Sequence, residues 1–199
     1  REVHGPWVTA VSRQRPYVTL KLAASLDGRV AAGDGSSRWV TGPEARQDGH
    51  RLRGVVGAIV VGSGTVLADD PALTARGTDE PREPLRVVLD RRGRTPSTAQ
   101  VRPALVTADS PADVLADLYG RDVRHVLVEG GPTVAGAFLA AGLVDEVVAY
   151  LAPALLGAGP QALETEAFPG IGDAVRLELT DVRRLGDDVR LTARVKERP

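Results

Sequence analysis

Two short apolar runs, Ala58-Ile59-Val60-Val61 and Val126-Leu127-Val128, constrain the fold of this chain more than any other feature. Each is continuous rather than alternating, and glycine follows each within two residues. A strand that is apolar on both faces has no side left for water, so it belongs inside a sheet covered by helices on both sides, which is the setting of parallel strands. Further strands are expected over residues 85–89, 104–107 and 145–151, with helices over 111–119 and 134–141 between them. The chain then closes with residues 176–185 and 189–195, which alternate in polarity around Gly186-Asp187-Asp188, the pattern of an antiparallel hairpin. The expectation is an α/β fold with a mostly parallel central sheet, helices on both faces, a C-terminal antiparallel hairpin and no internal repeat.

A length of 199 residues and a hydrophobic share of 43% suit one sizeable core, so residues 16–199 are read as one domain. Residues 1–15 show no clean periodicity and end against Pro16, which disfavours helix in the residue before it; they read as a linker or the remnant of an upstream domain. A net charge of −1 offers no field for nucleic acid or an anionic membrane, so any anion has to be met by local arginines. With no cysteine and three scattered histidines (His4, His50, His125), neither disulfides, thiol chemistry nor a metal-ligand spacing is visible. No signal peptide or membrane span is visible, and the chain reads as soluble, cytoplasmic and metal-independent.

The first strand, from Tyr17 to Ala24, puts Tyr17, Thr19, Lys21 and Ala23 on one face. Lys21 is either an edge lysine reaching for water or a functional one. The rest of the chain favours the second: of 25 basic residues only Lys21 and Lys196 are lysines, and an ammonium is the compact donor. Asp27-Gly28 signals a tight turn, with a short strand expected over 29–32 and a flexible loop over 33–37. Thr41 or Gly42 then caps a helix that starts at Pro43 and runs to about Arg53. Arg46, His50 and Arg53 share one face of it. As a whole the stripe suits a solvated surface, with Arg53 the member singled out for function.

Three turns have the chemistry to hold anions. Gly62-Ser63-Gly64-Thr65 exposes backbone N–H groups and hydroxyls at a helix start, though its glycines match neither the dinucleotide nor the Walker pattern. Asp90-Arg91-Arg92-Gly93-Arg94 follows a strand at its carboxyl end, where open α/β sheets bind ligands; a solvated basic turn accounts for Arg92 and Arg94 equally well. Glu129-Gly130-Gly131-Pro132-Thr133 leads from a buried strand into a helix, and its glycines admit a phosphate to the backbone. Glu129 is an acid at the end of a buried strand, which needs either a partner or a capping role. The loop over 72–84 carries Arg76.

The segments LKLAASLDGRVAAGDGSSRWVT, AIVVGSGTVLADDPALTAR, LRVVLD and VLVEGGPTVAGAFLAAGLVDEVVAYLAPALLG closely resemble the reductase domain of the bifunctional riboflavin-biosynthesis deaminase/reductase. The resemblance covers about residues 16–195. It implies a dihydrofolate-reductase-like fold, usually dimeric, and reduction by NADPH of the ribosyl group of 5-amino-6-(5-phosphoribosylamino)uracil to ribityl. It implies Ala23, Trp39, Thr65, Asp69, Gly131, Pro132, Thr133, Val134, Ala135, Gly136 and Ala137 against the cofactor, and Ser37, Arg53, Leu73, Arg76 and Glu129 against the substrate. For Trp39 core packing is the alternative, and for Leu73 a loop anchor. Lys21 and Glu129 are the expected catalytic pair, Lys21 orienting the sugar and Glu129 helping with protonation, while Arg53 and Arg76 grip the 5′-phosphate. Arg91 stands where relatives often carry a small hydroxyl residue, and it could pair the cofactor's 2′-phosphate more strongly. The zinc-deaminase pattern needs cysteines that this sequence lacks, so a deaminase would have to be fused upstream or separate. Other readings are a same-fold reductase of another pterin- or pyrimidine-like substrate, and a non-catalytic NADP-binding module.

Overall fold

The computed structural model describes residues 5–77 and 83–196. Its centre is one eight-stranded sheet in the order β4-β3-β2-β5-β1-β6-β8-β7. The strands are β1 (Tyr17–Ser25), β2 (Ala58–Gly62), β3 (Leu85–Leu89), β4 (Leu105–Thr107), β5 (His125–Val128), β6 (Glu146–Ala152), β7 (Leu177–Leu185) and β8 (Asp188–Val195). The first six run parallel; β8 pairs antiparallel with β6, and β7 with β8. The helices are α1 (Gly5–Arg13), α2 (Pro43–Gly54), α3 (Ser63–Asp69), α4 (Pro111–Gly120) and α5 (Pro132–Ala140).

The apolar runs behave as their composition requires. Ala58, Ile59, Val60 and Val61 are fully buried, as are Val126, Leu127 and Val128, and the two strands are neighbours in the sheet. Alternate residues feed two cores. Val18, Leu20, Val60, Val87, Val126 and Val128 pack with Val114, Leu115 and Leu118 of α4 and Phe138 of α5. On the opposite face Ile59, Val61, Val88 and Leu127 pack with Val66 of α3 and Leu52 of α2. Helices therefore cover both faces, and the α/β architecture with its C-terminal hairpin is the one anticipated. Among the described residues no helix is long and apolar enough to cross a membrane.

Two local expectations fail for identifiable reasons. Residues 5–13 form α1, where no regular element was expected. The helix ends at Arg13, and Gln14 turns the chain at φ +53°, so Pro16 never meets helical backbone. What holds α1 is remote in sequence. The buried Asp145 carboxylate accepts from Arg13 Nη1 at 2.5 Å, from Arg15 Nη1 and Nη2 at 2.7 and 2.8 Å, and from the Val18 N–H at 2.8 Å. Residues 29–32 do not form a strand; Arg29 makes one isolated bridge to Gln161, because this segment bonds a loop instead of the sheet edge. The Val30 N–H donates to Pro160 O, and Asp27 accepts from the N–H groups of Leu156 and Gly157.

A second polar group is buried in the sheet. His125 Nε2 lies 2.9 Å from Thr19 Oγ1, which donates to Glu146, and the His125 ring meets Tyr17 edge-on. Burial pushes the imidazole down to about 4, against the opposing pull of the Asp145 charge.

Two stability measurements test this frame. Asp145→Ala strands the half-buried Arg15 guanidinium and should cost about 3 kcal/mol in denaturant unfolding. The His125 value lies below that of an unfolded histidine, so its contribution is fully present above about pH 6.5 and is lost as the pH falls toward 4. The melting temperature should drop across that window and drop less in His125→Gln.

Candidate active site

The carboxyl ends of β1, β2, β3 and β5 border a cavity of about 810 Å³, continued by the starts of α3 and α5. Ligands in open α/β sheets bind at this edge because the strand-to-helix turns present their backbone N–H groups there. Lys21 and Ala23 reach it from β1, Thr65 and Asp69 from α3, Glu129 from the step beyond β5, and Gly131, Pro132, Thr133, Val134 and Ala137 from the turn and first turns of α5. Ser37 lines it from the loop after β1, and Arg91 from the turn after β3. Twelve of the eighteen candidate residues thus share one cavity, although they span more than a hundred positions in sequence.

Glu129 is the charge around which this edge is built. Its N–H continues the ladder to Val60 O, so the side chain is fixed by sheet geometry. Only 7% of that side chain is exposed. Arg53 Nε donates to Oε1 at 2.6 Å and Arg53 Nη2 to Oε2 at 2.9 Å, a two-point fork from the last turn of α2. Lys21 Nζ stands 3.6 Å from Oε2 on the other side. Burial pushes the carboxyl up, but the Lys21 charge and the Arg53 fork outweigh it and hold the acid at about 2.

Several assignments change as a result. Glu129 is thus held ionised by its two cationic partners, with Lys21 beside one oxygen and Arg53 forked across both. Arg53 was expected to grip a phosphate, yet it lies off the cavity wall. Its guanidinium is spent on Glu129 and, through Nη1 at 3.3 Å, on Thr74 O. Arg76 is exposed, donates to Thr74 Oγ1, and also lies off the wall. Leu73 is 3% exposed in the second core, so its side chain cannot face a ligand in this cavity. Ala135 is fully buried in the first core, and a side chain at Gly136 would run into Glu164 O at 2.0 Å; both face away from the cavity.

Trp39 does not take the core-packing alternative. It is 67% exposed, so it is no core residue, and it lies outside the cavity lining. The Arg46 guanidinium sits 4.5 Å from the ring centroid and that of Arg38 5.9 Å. The stripe of α2 is likewise not a solvated face, since Arg46 stacks on Trp39, His50 Nδ1 lies 3.1 Å from Thr74 O, and Arg53 holds Glu129.

Other lining residues escaped sequence reasoning. Val30, Ala31, Pro160 and Ala162 form a wall from two loops that only tertiary pairing brings together, and no local pattern marks them. Arg92 and Arg94 also border the cavity, although both are exposed to solvent.

The glycines of the third turn serve close approach. A Cβ on Gly130 would come within 2.5 Å of Val134 Cβ, so only glycine lets α5 start this near the sheet. Gly131 caps α5 without any side-chain bond, leaving the helix's first N–H groups available at the cavity.

The model of the RibD C-terminal domain matches residues 16–191 of this sequence. The chain belongs to the RibD C-terminal domain family. It is 44% identical over 198 residues to the riboflavin biosynthesis protein RibD of Mycobacterium tuberculosis strain H37Rv, covering 94% of this chain and 58% of that protein. It therefore spans less than two thirds of the curated relatives it matches. A solved structure from Thermotoga maritima, a diaminohydroxyphosphoribosylaminopyrimidine deaminase/5-amino-6-(5-phosphoribosylamino)uracil reductase, superposes with a TM-score of 0.79 at 30% identity, covering 96% of this chain and 60% of that one. Dihydrofolate reductase from Enterococcus faecalis superposes with a TM-score of 0.61 at 14% identity, over 91% and 97% of the two chains, which places the fold in the dihydrofolate-reductase-like class.

If Glu129 is the counter-charge of this site, Glu129→Gln leaves Arg53 and Lys21 without their shared anion. Unfolding in urea should then show a loss of about 3–5 kcal/mol, while Lys21→Met, which keeps the Arg53 fork, should cost far less.

Proposed function

We propose that this domain reduces the ribosyl group of 5-amino-6-(5-phosphoribosylamino)uracil to the ribityl group, using NADPH, in riboflavin biosynthesis. The observation that carries the reading is the Lys21–Glu129 pair at 3.6 Å on the wall of a cavity that continues from Glu129 into a glycine turn and a helix start without a side-chain cap. Membership of the RibD C-terminal domain family supports it.

The residues present suit a dinucleotide. The close approach enforced at Gly130 and the free N–H groups at the start of α5 are what a diphosphate needs, and Thr65 and Thr133 add hydroxyls beside them. Ala23, Asp69, Arg91, Pro132, Val134 and Ala137 complete that wall. Bound there, the cofactor supplies a hydride.

The chain's own groups do the rest. A ribosylamine opens to an imine, and reduction at C1′ gives the ribityl amine. Lys21, held in place by Glu129, hydrogen-bonds the sugar hydroxyls next to that carbon and can give a proton as the nitrogen's charge changes. Ser37 lines the same cavity, and the reading gives it to the substrate. The apolar loop wall of Val30, Ala31, Pro160 and Ala162 limits water at the reacting carbon. The same reading takes the domain as cytoplasmic and homodimeric, with its substrate delivered by a deaminase that is fused upstream or separate.

Loss of NADPH absorbance should be seen with the deaminated phosphoribosylamino-pyrimidine and not with dihydrofolate; turnover of dihydrofolate instead would move the substrate to the pterins. In that assay Lys21→Met should keep the fold and lower kcat by about 100-fold or more, and a variant with unchanged kcat would remove Lys21 from the chemistry.

A further inference from the structure

Lys21 is approached from two sides, and only one of the two groups is a charge. Its strand β1 lies between β5 and β6 in the sheet, so its neighbours come from both. From the β5 side Glu129 Oε2 stands 3.6 Å from Nζ, and from β6 the Tyr150 ring faces Nζ with its centroid 5.8 Å away. The register explains the second contact. Val148 is level with Lys21 and Tyr150 with Ala23, and residues level in a parallel pair share a face, so Tyr150 stands one pleat beyond Lys21 on the same side of the sheet. Neither contact is a hydrogen bond; both attract the ammonium and leave its N–H groups for the cavity.

Tyr150 is built for more than packing. It is 1% exposed and stands off the cavity wall, while Lys21 is on that wall. A phenylalanine would fill the space without a hydroxyl to satisfy. Here the hydroxyl donates to Asp48 Oδ2 at 2.7 Å, and Arg190 Nη1 donates to the same oxygen at 2.9 Å. Asp48 comes from α2 and Arg190 from β8, so three elements bury polar groups to fix the edge of one ring. Ala45 and Leu52 of α2 and Ala23 of β1 pack with it. Burial and the Asp48 carboxylate raise the phenol above its ordinary range, so it stays protonated and its ring keeps the neutral π face that attracts a cation.

We propose that Tyr150 is a positioning residue for the reaction: its ring, fixed by Asp48 and Arg190, confines the Lys21 ammonium beside the reacting carbon through a cation–π contact. This rests on the catalytic reading of Lys21 above. An ammonium on a flexible four-carbon stem has many directions open to it, and Glu129 alone attracts it without fixing one. The ring closes the β6 side, and the cavity is the side left open. Such a restraint acts on the geometry of the reacting groups and not on cofactor binding, which the reading above gives to the turns into α3 and α5.

Two measurements test this, one of them without turnover. Lys21 and Lys196 are the only lysines in the chain, so protein made with carbon-13-labelled lysine shows one Cε signal from each, and Lys21→Met assigns them. In wild type the Hε protons of Lys21 should have separate shifts, because the side chain is confined beside a ring. In Tyr150→Met they should merge, and in Tyr150→Phe they should stay apart. In the NADPH assay Tyr150→Met should lower kcat about tenfold with the KM for NADPH unchanged, and Tyr150→Phe should recover most of that loss. If Tyr150→Met does not fold, pentafluorophenylalanine at position 150 keeps the ring's size and reverses its charge distribution, and should move both readouts in the same direction relative to phenylalanine. Hε protons that stay apart in these variants overturn the proposal, and so does a Tyr150→Met protein with wild-type kcat. Lys21→Met with wild-type kcat overturns the catalytic reading, and with it the positioning role in catalysis, whereas the Hε shifts judge the contact by themselves.

Discussion

The carboxylate of Glu129 is a full charge at the end of a strand that is buried on both faces, and it survives there because Arg53 and Lys21 reach it from two different elements. An unpaired carboxylate in that position would cost several kcal/mol or become protonated. Holding it ionised ties the last turn of α2 to the ends of β5 and β1, so the pair that orients the proposed substrate also fastens one helix to the sheet. Glu129 is therefore part of the frame as much as of the site, whereas Lys21 can change while the Arg53 fork to Glu129 remains.

Around that charge, the parallel sheet explains where the remaining groups come from. Four strands point their carboxyl ends at one edge, and each turn leaving that edge brings a different kind of donor: an ammonium from β1, hydroxyls and N–H groups from the start of α3, guanidiniums after β3, and free N–H groups after β5. Cations at the two ends of the cavity have opposite circumstances. Lys21 is matched to an acid, whereas among the described residues no ion pair is seen for the exposed arginines after β3.

Sheet elements were legible because a buried strand has to be apolar at every position and a hairpin has to alternate; those patterns are local and survive without tertiary context. Glu129 and Lys21 stood out for the same reason, each a charge in an apolar run. Leu73 and Gly136 show where that kind of inference ends. A residue type at a matching position says nothing of what surrounds it: the Leu73 side chain is buried in the second core, and Gly136 lies so close to Glu164 O that no side chain would fit. Arg53 shows the same limit for a charge: its type and helix position suggested a free cation, and a carboxylate 76 positions away claimed it.

The apolar runs, the glycine turns and the odd charges within them dictated a parallel α/β sheet with glycine-rich turns at one edge, since each follows from interactions within a few residues. Folding decided how the charges pair, that α1 is fastened by Asp145, and that two distant loops close the cavity wall. Those outcomes depend on which side chains meet across the structure, and burial then sets whether a charge is held, shared or left for a ligand.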